Sequence, residues 1–144
     1  MPYPAREPTF LPLTVSAVGL AVRDSNDIPL ARAAETVRLQ AETANSAAAD
    51  CWTAMLAGCD CPSGRALPVR LRELTEAIAT YAGMRWWYGE GSVHRRRVAD
   101  AEDRIAEAVR DGDGAEFAEA FIGYDQALAT VIVGVRSRMG ITTP

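Results

Sequence analysis

The stretch from Asp27 to Ala57 constrains the fold more than any other feature, because it contains no glycine and carries apolar side chains at helical spacing throughout. Asn26 or Asp27 supplies the oxygen that caps a helix N-terminus, Pro29 suits a first turn, and Gly58 suits a helix end. We therefore expect one long helix. Two series of residues spaced seven apart mark its buried face: Leu30, Val37, Ala44 and Cys51, and Ala34, Ala41, Ala48 and Met55.

These eight residues form what we call the alanine seam. Alanine predominates among them, and its small side chain lets a second helix approach closely and make many short contacts. We expect Ala41 and Ala48 to touch another helix, either in the same chain or in a second copy of it.

Three more segments carry helical spacing. The first runs from Pro68 to near Trp87, and the second from Ser92 to Asp111. The last begins after Asp113, whose side chain can cap it, and continues to Gly140. Together with the long helix they predict an all-α fold, a helical bundle of four main helices, in which a tight turn at Gly112 makes the last two helices antiparallel neighbours.

The N-terminal residues 1–13 hold four of the eight prolines in the chain. Proline fixes its backbone angle and lacks an amide donor, so we expect an extended, irregular arm over the domain surface. Thr14 to Arg23 is a short apolar segment for which a helix is favoured over a strand, giving a possible extra helix. The predicted organisation is an arm at 1–13, one helical-bundle domain at 14–140, and a tail at 141–144.

The composition is that of a globular protein, because 144 residues with 49% hydrophobic and 24% charged side chains suit a single core. A net charge of -4 argues against nucleic acid as partner, and no apolar run is long enough to predict a membrane span. We expect a cytoplasmic protein. The fifteen basic residues are all arginine, and alanine is abundant, which indicates a high-GC genome such as that of a bacterium or phage.

The three cysteines and the single histidine leave alternatives open. Cys51, Cys59, Cys61 and His94 match the ligand types of a tetrahedral zinc site, although the cysteine spacing is not that of a zinc knuckle. Cys51 could instead form a disulfide with one of the loop cysteines in an oxidising setting. Thiols without a functional role are favoured over both alternatives, so the leading prediction is that the protein binds no metal.

Catalytic signatures are missing from the sequence. It contains no glycine-rich phosphate loop, no nucleophile elbow and no paired Glu-x-x-His motif. Carboxylate pairs such as Asp103 and Glu107 fall on the polar face of a helix, where a solvated surface is the simpler interpretation. We expect no enzymatic activity and no cofactor.

The most informative cluster lies where two helices meet. Two adjacent tryptophans cannot both point into the core from one helix, because successive residues diverge by about 100°. Arginines in the first turn of the next helix face the positive end of its dipole, which is unfavourable unless another contact compensates. We call the following residues the arginine-aromatic cluster: Arg85, Trp86, Trp87, Tyr88, Arg95, Arg96 and Arg97.

Arginine and aromatic side chains are enriched at protein interfaces, so this cluster predicts a partner-binding surface. The alternative is that the arginines pair with Glu90, Asp100 and Asp103 as an ordinary solvated face. The leading hypothesis is a non-enzymatic helical interaction or regulatory module that binds a protein partner or itself. The second is a small-molecule or thiol/zinc sensor that uses the bundle interior or the loop of Cys59 and Cys61.

Overall fold

The computed structural model describes residues 9–59 and 66–138, which form six helices and no strand. The all-α class is therefore confirmed, and the helices pack into a bundle. The predicted tail at 141–144 lies outside the described residues. The helices are α1 Pro12–Asp24, α2 Ile28–Leu56, α3 Ala66–Ala82, α4 Met84–Tyr88, α5 Ser92–Asp111 and α6 Gly114–Arg138.

Helix α2 begins where the sequence predicts. The carboxylate of Asp27 accepts a hydrogen bond from the backbone N–H of Leu30 at 3.0 Å, which satisfies one of the unpaired amides of the first turn. Ala41 and Ala48 have no exposed surface, and α2 packs against α3 and α1. Six of the eight residues of the alanine seam are thus buried within the chain itself, and Leu30 and Met55 are half-buried.

Helix α6 is the central element, because it packs against α1, α2, α3 and α5. The turn before it is as predicted: Gly112 adopts a left-handed conformation, with φ of +64°, and the Asp113 carboxylate accepts from the backbone N–H of Glu116 at 3.0 Å. By length and mean hydropathy α6 could also cross a membrane, but half of its most apolar window is buried in the bundle. Core helices of soluble proteins share that property.

The prediction of an irregular surface arm is wrong at its C-terminal end. Leu11 is fully buried, and α1 already begins at Pro12. The ring of Phe10 packs against those of Phe117 and Phe121, with centroids 5.6 and 5.2 Å away. Apolar side chains next to a proline can still enter a core that lies within reach, so the prolines alone do not keep this segment outside. Residues 1–8 lie outside the described part of the chain.

The prediction of one helix from Pro68 to near Trp87 is also wrong. The chain leaves α3 after Ala82, because Gly83 has φ of +96° and cannot continue a right-handed helix. The short helix α4 follows in a new direction. This break brings the aromatic residues of α4 beside the first turn of α5.

Candidate functional site

The arginine-aromatic cluster surrounds the turn between α4 and α5. Trp87 is buried, with 4% of its surface exposed, whereas Trp86 is half-buried and Tyr88 is 61% exposed. The adjacent tryptophans thus diverge as the helical geometry requires. Trp87 packs in the core beneath the cluster, whereas the Tyr88 ring and part of the Trp86 ring are accessible at the surface.

The indole of Trp86 lies between two basic side chains. The His94 ring stacks on it with centroids 5.8 Å apart and an interplanar angle of 19°, and the Arg138 guanidinium lies 4.1 Å from the ring centroid. Arg138 also donates a hydrogen bond to the carbonyl of Ala82 at 3.3 Å. These contacts hold the indole in one orientation, and the Arg138 guanidinium places a positive charge beside it.

The arginines of the cluster keep their hydrogen-bonding capacity. The guanidinium of Arg95 lies 5.1 Å from the Tyr88 ring centroid, and its buried Nε has no hydrogen-bond partner. Arg85, Arg96 and Arg97 are exposed. Across residues 9–59 and 66–138, the ion pairs include none of these four arginines.

The alternative interpretation was that the arginines form an ordinary solvated face of paired charges. It requires ion pairs from the arginines to Glu90, Asp100 and Asp103, and the described part of the chain contains none of them. The first turn of α5 also carries no acidic side chain. No ion pair among the described residues therefore offsets the positive charge of these arginines.

Of the four candidate zinc ligands, the structure describes Cys51, Cys59 and His94, and it does not bring these three together as a metal site. Cys51 is buried and disulfide-bonded, whereas Cys59 is a free and exposed thiol; Cys61 lies outside the described residues. Zinc binds cysteine as thiolate, which a disulfide sulfur cannot supply. Within the described ranges, no three His, Cys, Asp or Glu side chains come close enough to hold a metal ion.

A second polar group was missed by the sequence interpretation. Glu102 on α5 accepts a hydrogen bond from the Thr75 hydroxyl at 3.4 Å, and that hydroxyl lies 2.9 Å from the Tyr124 hydroxyl. Tyr124 in turn donates to the backbone carbonyl of Leu71 at 2.9 Å. Burial raises the pKa of Glu102 to about 7, opposed by the Thr75 hydrogen bond and the positive charge of Arg72. The nearly complete burial of Tyr124 raises the pKa of its hydroxyl well above the ordinary value.

Glu102 lies where two grooves between α3 and α5 meet. One groove has a volume of about 470 Å³ and the other about 300 Å³, and both are lined by Glu102 and Arg72. A local signal for Glu102 was present in the sequence. It lies four residues after Val98 and three before Ile105, so a carboxyl interrupts the apolar stripe of α5.

No protein-family model, no curated protein and no solved structure matches this chain.

Proposed function

We propose that this protein is a non-enzymatic interaction module that binds an acidic segment of a partner protein through the arginine-aromatic cluster. One observation carries the proposal. The exposed Arg85 shares α4 with the exposed Tyr88, and the exposed Arg96 and Arg97 directly follow Arg95, whose guanidinium lies over the Tyr88 ring. None of these three exposed arginines has an ion-pair partner in the part of the chain that the structure describes.

The chemistry of the guanidinium group supports an acidic partner. Its planar fork can donate two parallel hydrogen bonds to one carboxylate, and these charge-assisted bonds are stronger than neutral ones. Arg95 lies at the end of the first turn of α5, near the positive end of the helix dipole, and Arg96 and Arg97 follow it directly. A bound carboxylate would offset both the repulsion between Arg95 and that dipole and the mutual repulsion of the arginines.

The aromatic rings supply the apolar part of the contact. Tyr88 exposes most of its ring, and the indole of Trp86 is fixed by His94 and Arg138. A ring that is already ordered loses little conformational entropy when a partner covers it. The cluster thus combines ordered apolar surface with directed donors, the combination found at binding hot spots.

The test uses a fluorescent peptide of alternating Glu and Leu, with a Gln-for-Glu peptide of the same length as reference. Fluorescence anisotropy compares the native chain with a variant carrying Arg95, Arg96 and Arg97→Glu. We expect the variant to lose at least about tenfold in affinity for the acidic peptide. The native chain should bind the Gln peptide weakly and the acidic peptide less tightly as salt is raised.

A matched control carries the same change in charge on other faces, namely Arg23, Arg32 and Arg110→Glu. This control should keep the native affinity to within about twofold, since long-range effects are screened by salt. Equal losses of affinity in both variants would show that only the net charge of the protein determines binding of the acidic peptide. Tighter binding of a DNA duplex than of the acidic peptide would also contradict the proposal.

A second surface favours self-association. Pro12 to Val22 in α1 and Gln126 to Val135 in α6 contain no charged residue, and the two helices pack together. Leu13 and Ile122 line one groove between them while remaining 48% and 58% exposed. An exposed apolar surface of this kind is typical of subunit contacts. We infer that a second copy covers it.

Sedimentation velocity tests this contact. Ile122→Glu should shift the native chain from dimer to monomer, because a buried carboxylate without a partner opposes association. Val69→Glu introduces the same charge at another exposed apolar position and should leave the dimer intact. A native chain that sediments as a monomer at all concentrations would contradict the inference.

A further inference from the structure

We propose that the groove between α3 and α5 binds a small organic carboxylate with an apolar or aromatic body. We call it the Glu102 groove, and its larger part is formed by α3, α4 and α5. The residues that the argument uses are Arg72, Thr75, Met84, Trp87, Arg95 and Glu102.

Two guanidinium groups make the groove complementary to a carboxylate. Arg72 approaches from α3 and Arg95 from α5, and both line the same cavity. Neither belongs to an ion pair within residues 9–59 and 66–138. A ligand carboxylate would accept hydrogen bonds from the parts of the two guanidinium groups that line the groove.

Burial favours the protonated form of Glu102, and the hydrogen bonds around it can accommodate that form. The Thr75 hydroxyl has one proton, which it can give either to Glu102 or to the Tyr124 hydroxyl. When Glu102 is protonated, it can donate to Thr75, Thr75 to Tyr124, and Tyr124 to the Leu71 carbonyl. Every group in that chain is then satisfied. Ionised Glu102 instead accepts the Thr75 proton, which opposes the effect of burial on its pKa.

A neutral Glu102 removes the charge that would otherwise repel a carboxylate. The groups that act on it are Arg72 and Glu76 from α3 and Asp103 from α5, with the Tyr124 hydroxyl on α6 beyond Thr75. The positive charge of Arg72 and Arg95 therefore predominates in the groove when Glu102 holds its proton. Since the pKa of Glu102 is about 7, binding of a carboxylate should weaken as the pH rises past neutrality.

The size and walls of the groove define the rest of the ligand. A volume of about 470 Å³ accommodates a small molecule, and Met84, Trp87 and Tyr88 supply apolar and aromatic surface. Trp87 is buried and therefore holds a fixed wall. A benzoate-sized anion fits this combination of guanidinium donors with apolar and aromatic walls.

The experiment titrates benzoate and benzylamine, which share the ring and differ in charge, into the ¹⁵N-labelled chain at pH 6 and pH 8. Indole and backbone amide signals of α3 to α5 report binding. We expect saturable shifts with benzoate and none with benzylamine. Arg72→Gln should lower benzoate affinity by about tenfold, whereas Arg70→Gln on the same helix should leave it unchanged.

Glu102→Gln keeps a neutral hydrogen-bonding side chain and should abolish the difference between pH 6 and pH 8, while Glu107→Gln should preserve that difference. Benzylamine binding more tightly than benzoate would overturn the proposal, as would equal effects of Arg72→Gln and Arg70→Gln or an absence of saturable benzoate binding. Arg72 lies outside the arginine-aromatic cluster. Its substitution should therefore leave acidic-peptide binding intact, so that the two proposals can fail separately.

Discussion

The carboxylate of Asp125 on α6 caps α1 through Thr14. Its Oδ1 accepts hydrogen bonds from the Thr14 backbone N–H at 2.8 Å and from the Thr14 hydroxyl at 2.6 Å, and its Oδ2 accepts from the Leu13 N–H at 3.0 Å. Asp125 is 3% exposed and Thr14 fully buried. The cap of α1 therefore comes from a residue more than a hundred positions away, and Arg136 holds the other end of α1 through Asp24 at 2.6 Å.

Asp125→Ala should destabilise the protein by about 1 to 3 kcal/mol, because buried donors at the start of α1 would lose their acceptor. Chemical denaturation gives the free energy of unfolding. Asp100→Ala removes an exposed carboxylate from α5 and should change it by less than about 0.5 kcal/mol. If the two substitutions have the same effect, the cap contributes nothing.

Ala48→Leu should destabilise the protein by about 1 to 3 kcal/mol, because Ala48 has no exposed surface and the larger side chain would overpack the α2 seam. Ala115→Leu, at an exposed position in the first turn of α6, serves as the control and should be nearly neutral. Thermal denaturation of both variants checks the prediction. An unchanged melting temperature for Ala48→Leu would contradict close packing of the seam.

Reduction should destabilise the protein, since Cys51 is disulfide-bonded within the bundle. A disulfide contributes typically about 2 to 4 kcal/mol, so the melting temperature should fall when a reductant is added. Alkylation of the oxidised native chain, followed by mass spectrometry, should label Cys59 and leave Cys51 unlabelled. Cys59→Ser should show the same fall in melting temperature when reductant is added. Labelling of Cys51 without reductant would show that Cys51 forms no disulfide.

Glu102 should make the stability depend on pH. Its carboxyl has an ordinary pKa of 4.5 and a folded pKa of about 7, so the stabilisation that it confers is complete below pH 4.5 and is lost as the pH rises through 7. Relative to Glu102→Gln, the native chain should lose about 1 to 2 kcal/mol between pH 4.5 and pH 8, allowing for partial solvent access. Denaturation at pH 4.5 and pH 8 measures this loss in the free energy of unfolding. If the native chain and Glu102→Gln differ in stability by the same amount at both pH values, the prediction is contradicted. Glu107→Gln should follow the native chain.

Gly91→Ala should displace the Trp86 indole. A Cβ at position 91 would lie 2.6 Å from a ring carbon of Trp86 and 2.9 Å from its carbonyl oxygen, closer than such contacts allow. We expect a loss of about 1 to 3 kcal/mol in stability and a shift of the His94 ring resonances that reflects lost stacking. Gly123→Ala on α6, where a Cβ meets nothing within 4 Å, is the control. Unchanged His94 signals in the Gly91 variant would show that the ring adapts freely.

The sequence by itself determined the helices whose ends depend on nearby residues. Asp27 caps α2 through an amide three residues away, and Asp113 caps α6 in the same manner. The apolar stripes also identified the buried faces, since helical spacing alone decides which side chains share a face. The all-α class and the bounds of α5 follow from such local rules.

Only the tertiary structure decided the features that need distant segments. Phe10 and Leu11 enter the core because aromatic residues of α2 and α6 lie within reach, and Asp125 caps α1 from the other end of the sequence. The environment of Glu102 requires α3, α5 and α6 together. A carboxyl on an apolar stripe is visible in the sequence, but its partners and its pKa depend on burial, which no spacing along one helix specifies.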